Sequence, residues 1–158
     1  MTLTVWRIVQ KRHAETAWNG AGAALYPGRW NAAGTPIVYA AESRALALLE
    51  ILANLGEAAA LDRYVLISAR FGKRLCRTLG PRELPKGWDT TPPADATRAL
   101  GTAWCQGNGS VALKVPSVLV PGEFNVLLNP RHPEFRKVRM GAAEPVRIDR
   151  RLVRGGGR

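Results

Sequence analysis

GRWNAAGTPIVYAAESRALALLEILANLG (28–56) changes period in its middle, and that change sets the fold class. IVYAA (37–41) follows Thr35–Pro36 as a short apolar run and reads as a strand, with Ile37, Tyr39 and Ala41 on one face. Ser43 then fits the N-cap of a helix, because its hydroxyl can accept a first-turn N–H. The helix is predicted to run to about Leu55 and to stop at Gly56, a natural residue just past a last turn.

The helix carries an awkward charge. In ALALLEILANL (45–55) only Glu50 and Asn54 can hydrogen-bond through their side chains. The i, i+3, i+4 rule groups Leu46, Leu49, Glu50, Ala53 and Asn54 on one broad face. Leu48, Ile51, Leu52 and Leu55 cover much of the rest, so the helix is expected to be buried. A carboxylate among leucines is costly unless something pairs with it or uses it. Glu50 is then either half of a buried ion pair, for instance with Arg29 or Arg98, or a catalytic carboxylate in a pocket wall. Asn54, one turn on, is near enough to orient it.

Outward from this segment, LTVWRIV (3–9), RYVLISARF (63–71), SVALKVPS (110–117) and FNVLLN (124–129) read as strands. ADATRALGTAWCQ (94–106) reads as a helix ending in a Gly-Asn-Gly turn. Residues 13–28 read as loop with room for one short helix, and the proline-rich 80–93 as loop. Pro116 and Pro121 confine the piece between them to an edge or turn, and VRM (138–140) and PVRI (145–148) are candidates for short closing strands. Several short strands with few helices and no regular βαβ alternation predict an α+β fold.

The 158 residues suit a single domain, placed at 1–150, with a basic flexible tail at 151–158. Cys76 and Cys105 are far apart, with no CxxC, which argues against a disulfide framework or a zinc site. No stretch approaches the roughly 20 apolar residues of a membrane span. MTLTVWRIVQKR lacks a signal-peptide core, so a cytoplasmic location is expected. The net charge of +11 suits nucleic acid, anionic small molecules or an acidic partner protein. The basic residues form no helix-long stripe, and no RRM, KH or helix-turn-helix pattern is present, so direct nucleic-acid binding is not expected.

Four groups could carry chemistry. Arg29 in the glycine-rich turn has the side chain best shaped for bidentate contact with phosphate, and Trp30 beside it is either core or a stacking platform. Tyr39 is either core or a ring able to stack on a cationic heterocycle. Glu50 is the third. The fourth is the segment 114–135, with Ser117 after a proline, Asn125, and His132 between prolines. Without a G-x-S-x-G elbow, Ser117 is not read as a hydrolase nucleophile. His13 and His132 show no metal-ligand spacing, so no metal is expected, and neither Walker A nor G-x-G-x-x-G occurs.

In combination these stretches are specific. G-R-W-N-x-x-G-x-P-x-V-Y-A-A-E-S-x-x-x-A-x-L-E (28–50), A-L-K-V-P-S (112–117) and N-V-L-L-N-P-x-H-P-x-F (125–135) closely resemble the RES domain, named for its Arg, Glu and Ser. This family supplies the toxin of bacterial Xre–RES type II toxin–antitoxin modules. The resemblance implies a compact ADP-ribosyltransferase-like core of two β-sheets with a few helices, and an enzyme that takes NAD+ as substrate and cleaves its nicotinamide–ribose bond. The ADP-ribose would pass to water or phosphate, or alternatively to a specific cellular protein. An RNase-type toxin is the distant alternative raised by the charge.

By motif, the resemblance places the family's arginine at Arg29, its tyrosine at Tyr39, its glutamate at Glu50 and its serine at Ser117. Asn125 lies in the same block, and Tyr26 and His132 lie beside the motifs. The implied catalytic set is Glu50, Arg29 and Ser117, and the implied NAD-binding set is Arg29, Tyr39, Ser117, Asn125 and Tyr26. The implied partner is a cognate Xre-like antitoxin that covers the active site.

Overall fold

The computed structural model describes residues 1–55 and 61–153. The predicted stop at Gly56 and the tail residues 154–158 lie outside the described residues. Strand β1 (Thr2–Gln10) pairs over its whole length with β3 (Tyr64–Gly72), from Thr2↔Gly72 to Gln10↔Tyr64, all antiparallel. Two short strands, β7 (Arg139–Met140) and β8 (Glu144–Pro145), close onto β3 close to the predicted positions. In the other half, β2 (Val38–Ala41) and β5 (Ala112–Pro116) flank β6 (Phe124–Leu128) antiparallel. The three-residue β4 (Cys76–Thr78), absent from the sequence reading, adds parallel to β5.

The halves meet at one pair of residues, Trp6↔Ala41 between β1 and β2. The expected two-sheet core is therefore one continuous order, β4-β5-β6-β2-β1-β3-β7, hinged at that pair. Val38, Ala40, Ala112, Val126 and Leu128 from one half meet Val5, Val9, Val65, Ile67, Ala69 and Phe71 from the other in a single buried cluster. A sheet whose two halves share one cluster is curled around it. Each valine, leucine, isoleucine or phenylalanine so buried contributes on the order of 1.5–3 kcal/mol.

The opposite face carries the helices. Trp104 and Cys105 of α3 (Asp95–Gln106) pack with Trp30 on Ile37, Leu113, Val115 and Leu127. The backbones touch here: a Cβ added at Gly101 would lie 1.8 Å from the Trp30 carbonyl oxygen, so only glycine fits. Helix α2 (Arg44–Leu55) begins as predicted, with the Leu46 N–H donating to Ser43 Oγ at 3.0 Å. Its burial differs from expectation. Only Leu46 and Ala47 are buried, over Ala41 with Trp6, Ile8 and Val120 around them. Leu49 is 43% exposed, and Ala53 and Asn54 are exposed. The helix lies outside the β1–β2 joint, which covers one stripe of it. Apolar residues all round a helix do not compel burial, because much of any folded surface is apolar. Among the described residues no helix is long and apolar enough to cross a membrane.

Candidate functional site

Asn31 organises the glycine-rich turn. It is fully buried, its Nδ2 donating to the carbonyls of Ala23, Ala32 and Thr35 and its Oδ1 accepting from Gly28 N and from Tyr39 Oη at 2.7 Å. The Tyr39 hydroxyl also accepts from Trp30 N at 3.0 Å. Gly28 rests on the Tyr39 ring so closely that a Cβ there would come within 2.8 Å of it. Turn and strand thus form one unit. Burial pushes the Tyr39 phenol well above its ordinary value, against the opposing pull of its bond to Trp30 and of nearby Arg98 and Arg29. Trp30 is core, at 3% exposed. The sequence reading passed over Asn31, although its place in the GRWN motif was the available signal.

Two arginines sit at this unit, and a third reaches the backbone of Tyr39 from the opposite sheet face. Arg29 Nη1 donates to the carbonyls of Trp88 (2.9 Å) and Thr90 (2.7 Å), tying down the proline-rich loop. Arg98, on α3, donates Nε to the Gly28 carbonyl at 3.1 Å. Arg7, on β1, donates Nη1 to the Tyr39 carbonyl at 2.7 Å, just beyond the point where β1 and β2 pair. Its Nε has no partner among the described residues, and burial lowers its guanidinium to about 10. Arg7 was not singled out from sequence. The available signal was a charge between Val5 and Val9, at a position where strand period calls for an apolar residue.

Glu50 is partly buried, and its partner is neither Arg29 nor Arg98. Asn125 Nδ2 donates to Glu50 Oε1 at 2.7 Å. Asn125 sits on β6 opposite both Ala41 and Val115, on the sheet face that also carries Tyr39 and Leu127. The expected buried ion pair is replaced by a charge-assisted amide bond because α2, over the β1–β2 joint, brings Glu50 within reach of Asn125 on β6, while Arg29 and Arg98 are held at the turn. Asn54 does not orient the carboxylate, since its amide donates to the Glu50 main-chain oxygen.

Ser117, 3% exposed, directly follows β5. Its Oγ accepts from Leu119 N (3.1 Å) and Val120 N (3.0 Å), holding a turn whose Val120 packs beneath α2. Tyr26 is 82% exposed. His132 Nδ1 accepts from Glu134 N, a local turn bond, and His13 is exposed. Among the described residues no group of three His, Cys, Asp or Glu could hold a metal.

One sheet face therefore presents Tyr39 and Asn125, with Glu50 reaching it from α2 and the guanidinium groups of Arg29 and Arg98 at the turn, while Arg7 lies on the opposite face with Val5 and Val9. A carboxylate here can stabilise positive charge developing on a bound sugar, and the arginines suit a bound phosphate.

Comparison with known proteins bears on this arrangement. Residues 4–149 match the RES domain. The chain is 37% identical over 135 residues to the Toxin Res of Photorhabdus laumondii, covering 85% of this chain and 86% of that protein. It is 37% identical over 166 residues to a Prs ADP-ribosylating toxin of Sphingobium sp., covering 98% of this chain and 99% of that one. Among solved structures, that of the M. tuberculosis MbcT–MbcA toxin–antitoxin complex shares the fold, with a TM-score of 0.74 at 18% identity over 92% of this chain and 85% of that one. The chain belongs to the RES domain family, which includes the Res toxins.

Proposed function

We propose that the protein is an NAD+-consuming toxin that cleaves the nicotinamide–ribose bond. The observation that carries this reading is the Glu50–Asn125 pair on the face that also carries Tyr39. Nicotinamide is a cationic leaving group, so the ribose C1′–N bond breaks with both electrons passing to the ring nitrogen, and neutral nicotinamide departs. The ribose then has oxocarbenium character, as in glycoside cleavage. Glu50 stabilises that charge, and the Asn125 amide fixes the carboxylate in place. Tyr39 contributes a ring for stacking on nicotinamide. Arg29 holds the pyrophosphate side while also anchoring the Trp88–Thr90 loop. Ser117 acts through the turn it holds and is not a nucleophile.

The acceptor of the ADP-ribose is water or phosphate in this reading. A second reading, transfer to a specific protein, is favoured by the likeness over 98% of the chain to a toxin named as ADP-ribosylating. Incubation with labelled NAD+ and cell lysate separates them. Free ADP-ribose or its phosphate supports the first, and a labelled protein band the second. If NAD+ is recovered intact, both readings fall.

We further propose a cytoplasmic location and an antitoxin partner, Xre-like, that covers the active site. The likeness to a toxin solved with its antitoxin supports the partner, and the +11 charge suits an acidic surface on it. Co-purification of this chain with its antitoxin, with NAD+ loss suppressed in the complex, is the expected result.

A further inference from the structure

Most of the positive charge is solvated. Among the described residues only four lysines and arginines are not exposed: Arg7, Arg29, Arg98 and Lys114. Lys114 is paired with Glu42 at 3.2 Å. The other described ion pairs engage exposed cations, namely Arg44, Arg74, Arg77, Lys137 and Arg151. The three remaining partly buried guanidinium groups have no carboxylate partner among the described residues, and two of them, Arg29 and Arg98, lie beside the Tyr39 phenol. A cation withdrawn from water without a counter-charge is costly, and a fold that sets two of them side by side is arranged for an anion that it does not itself supply.

Within this group Arg98 has a distinctive geometry. Its Nε is spent on the Gly28 carbonyl, which fixes the plane of the guanidinium. Its two Nη groups make no hydrogen bond to a described residue, and they are not among the buried atoms lacking a partner, so they stay accessible. Arg29, the next residue along from Gly28, spends Nη1 on two loop carbonyls and keeps Nη2 and Nε without a described partner. Both arginines lie close enough to the Tyr39 phenol to act on it. Each is thus tethered at one end by backbone, with donors left over, and such tethering reduces the entropy lost when a ligand is bound.

We infer that Arg98, together with Arg29, forms a phosphate-binding site beside Tyr39, with Arg98 as a binding residue of the NAD+ reaction beyond the motif residues. This rests on the NAD+ reading above. The phosphate has two possible sources, the pyrophosphate of NAD+ and free inorganic phosphate acting as acceptor. Loss of one charge-assisted contact to phosphate is expected to weaken binding about tenfold or more.

The test uses the full chain and Arg98→Gln, with Arg98→Lys to restore the charge and exposed Arg136→Gln as a control. NAD+ loss is followed against NAD+ and against inorganic phosphate, and binding of inorganic pyrophosphate is measured by calorimetry. A rise in KM for NAD+ of about tenfold in Arg98→Gln, partly reversed in Arg98→Lys and absent in Arg136→Gln, assigns the site to the pyrophosphate of NAD+. A weakened dependence on inorganic phosphate with KM for NAD+ unchanged assigns it to the acceptor. A purely structural role for the Gly28 tether would lower the melting temperature and kcat without selective loss of either ligand, and that outcome overturns the inference. Should the wild type consume no NAD+, the functional reading falls by itself. Pyrophosphate binding that is lost in Arg98→Gln would still support the phosphate site, and equal binding by both proteins would refute it.

Discussion

Replacing Glu50 by glutamine separates chemistry from architecture, because the structure shows which part of Glu50 survives the change. Asn125 Nδ2 donates to Glu50 Oε1 at 2.7 Å, and the amide oxygen of a glutamine side chain at this position can accept the same bond. What disappears is the negative charge. A charge-assisted bond is about twice as strong as a neutral one, so the fold loses about 1 kcal/mol at most. For a chain of this size that lowers the melting temperature by about 2–4 °C. The transition state loses much more. Removing one well-placed electrostatic group costs about 2 kcal/mol or more, hence about a thirtyfold fall in rate. Glu50→Ala provides the contrast, since it removes the charge and also strands the Asn125 amide, at about 1–3 kcal/mol of stability. The assay is NAD+ remaining over time with purified variants, beside thermal melts. The expected pattern is that both variants lose activity alike while only Glu50→Ala is markedly less stable. If Glu50→Gln consumes NAD+ at the native rate, the carboxylate is a structural bond acceptor and the proposed mechanism is wrong.

Other perturbations reach the site indirectly. Gly101→Ala drives a methyl to 1.8 Å from the Trp30 carbonyl and should cost about 3 kcal/mol, a fall of about 6–12 °C in melting temperature that calorimetry would detect. Ser117→Ala leaves the N–H groups of Leu119 and Val120 without their acceptor and should cost about 2 kcal/mol, with a partial loss of NAD+ turnover. Complete loss of turnover at unchanged stability would instead point to chemistry at the hydroxyl. Tyr39→Phe keeps the ring but removes the bonds to Asn31 and Trp30. It should destabilise the turn by about 1–3 kcal/mol and raise KM for NAD+ more than it lowers kcat, and a melt indistinguishable from wild type would contradict the proposed turn–strand unit.

The sequence by itself determined the elements and the family. The period change between IVYAA and the helix after Ser43, the N-cap, the long first strand and α3 are local features, set by side-chain alternation and by hydroxyls or prolines at fixed offsets, and the structure places them where the pattern does, while of the closing strands β8 shares only Pro145 with the expected PVRI. The three motif blocks were enough to name the RES domain. Strand β4 was not legible, because three residues with an exposed arginine and threonine show no period and become a strand only by pairing with β5. The burial of α2 was misjudged because periodicity reports which residues are apolar and not which face a neighbour covers. Tertiary structure alone decided the partner of Glu50. Which donor meets a carboxylate depends on where α2 lies on the sheet, and its seat over the β1–β2 joint brings Asn125 into contact across 75 positions of chain. It also decided that Arg29 and Arg98, far apart in the chain, gather at one turn. Charges so far apart in sequence are brought together by sheet order and helix packing, and no spacing rule along the chain encodes that.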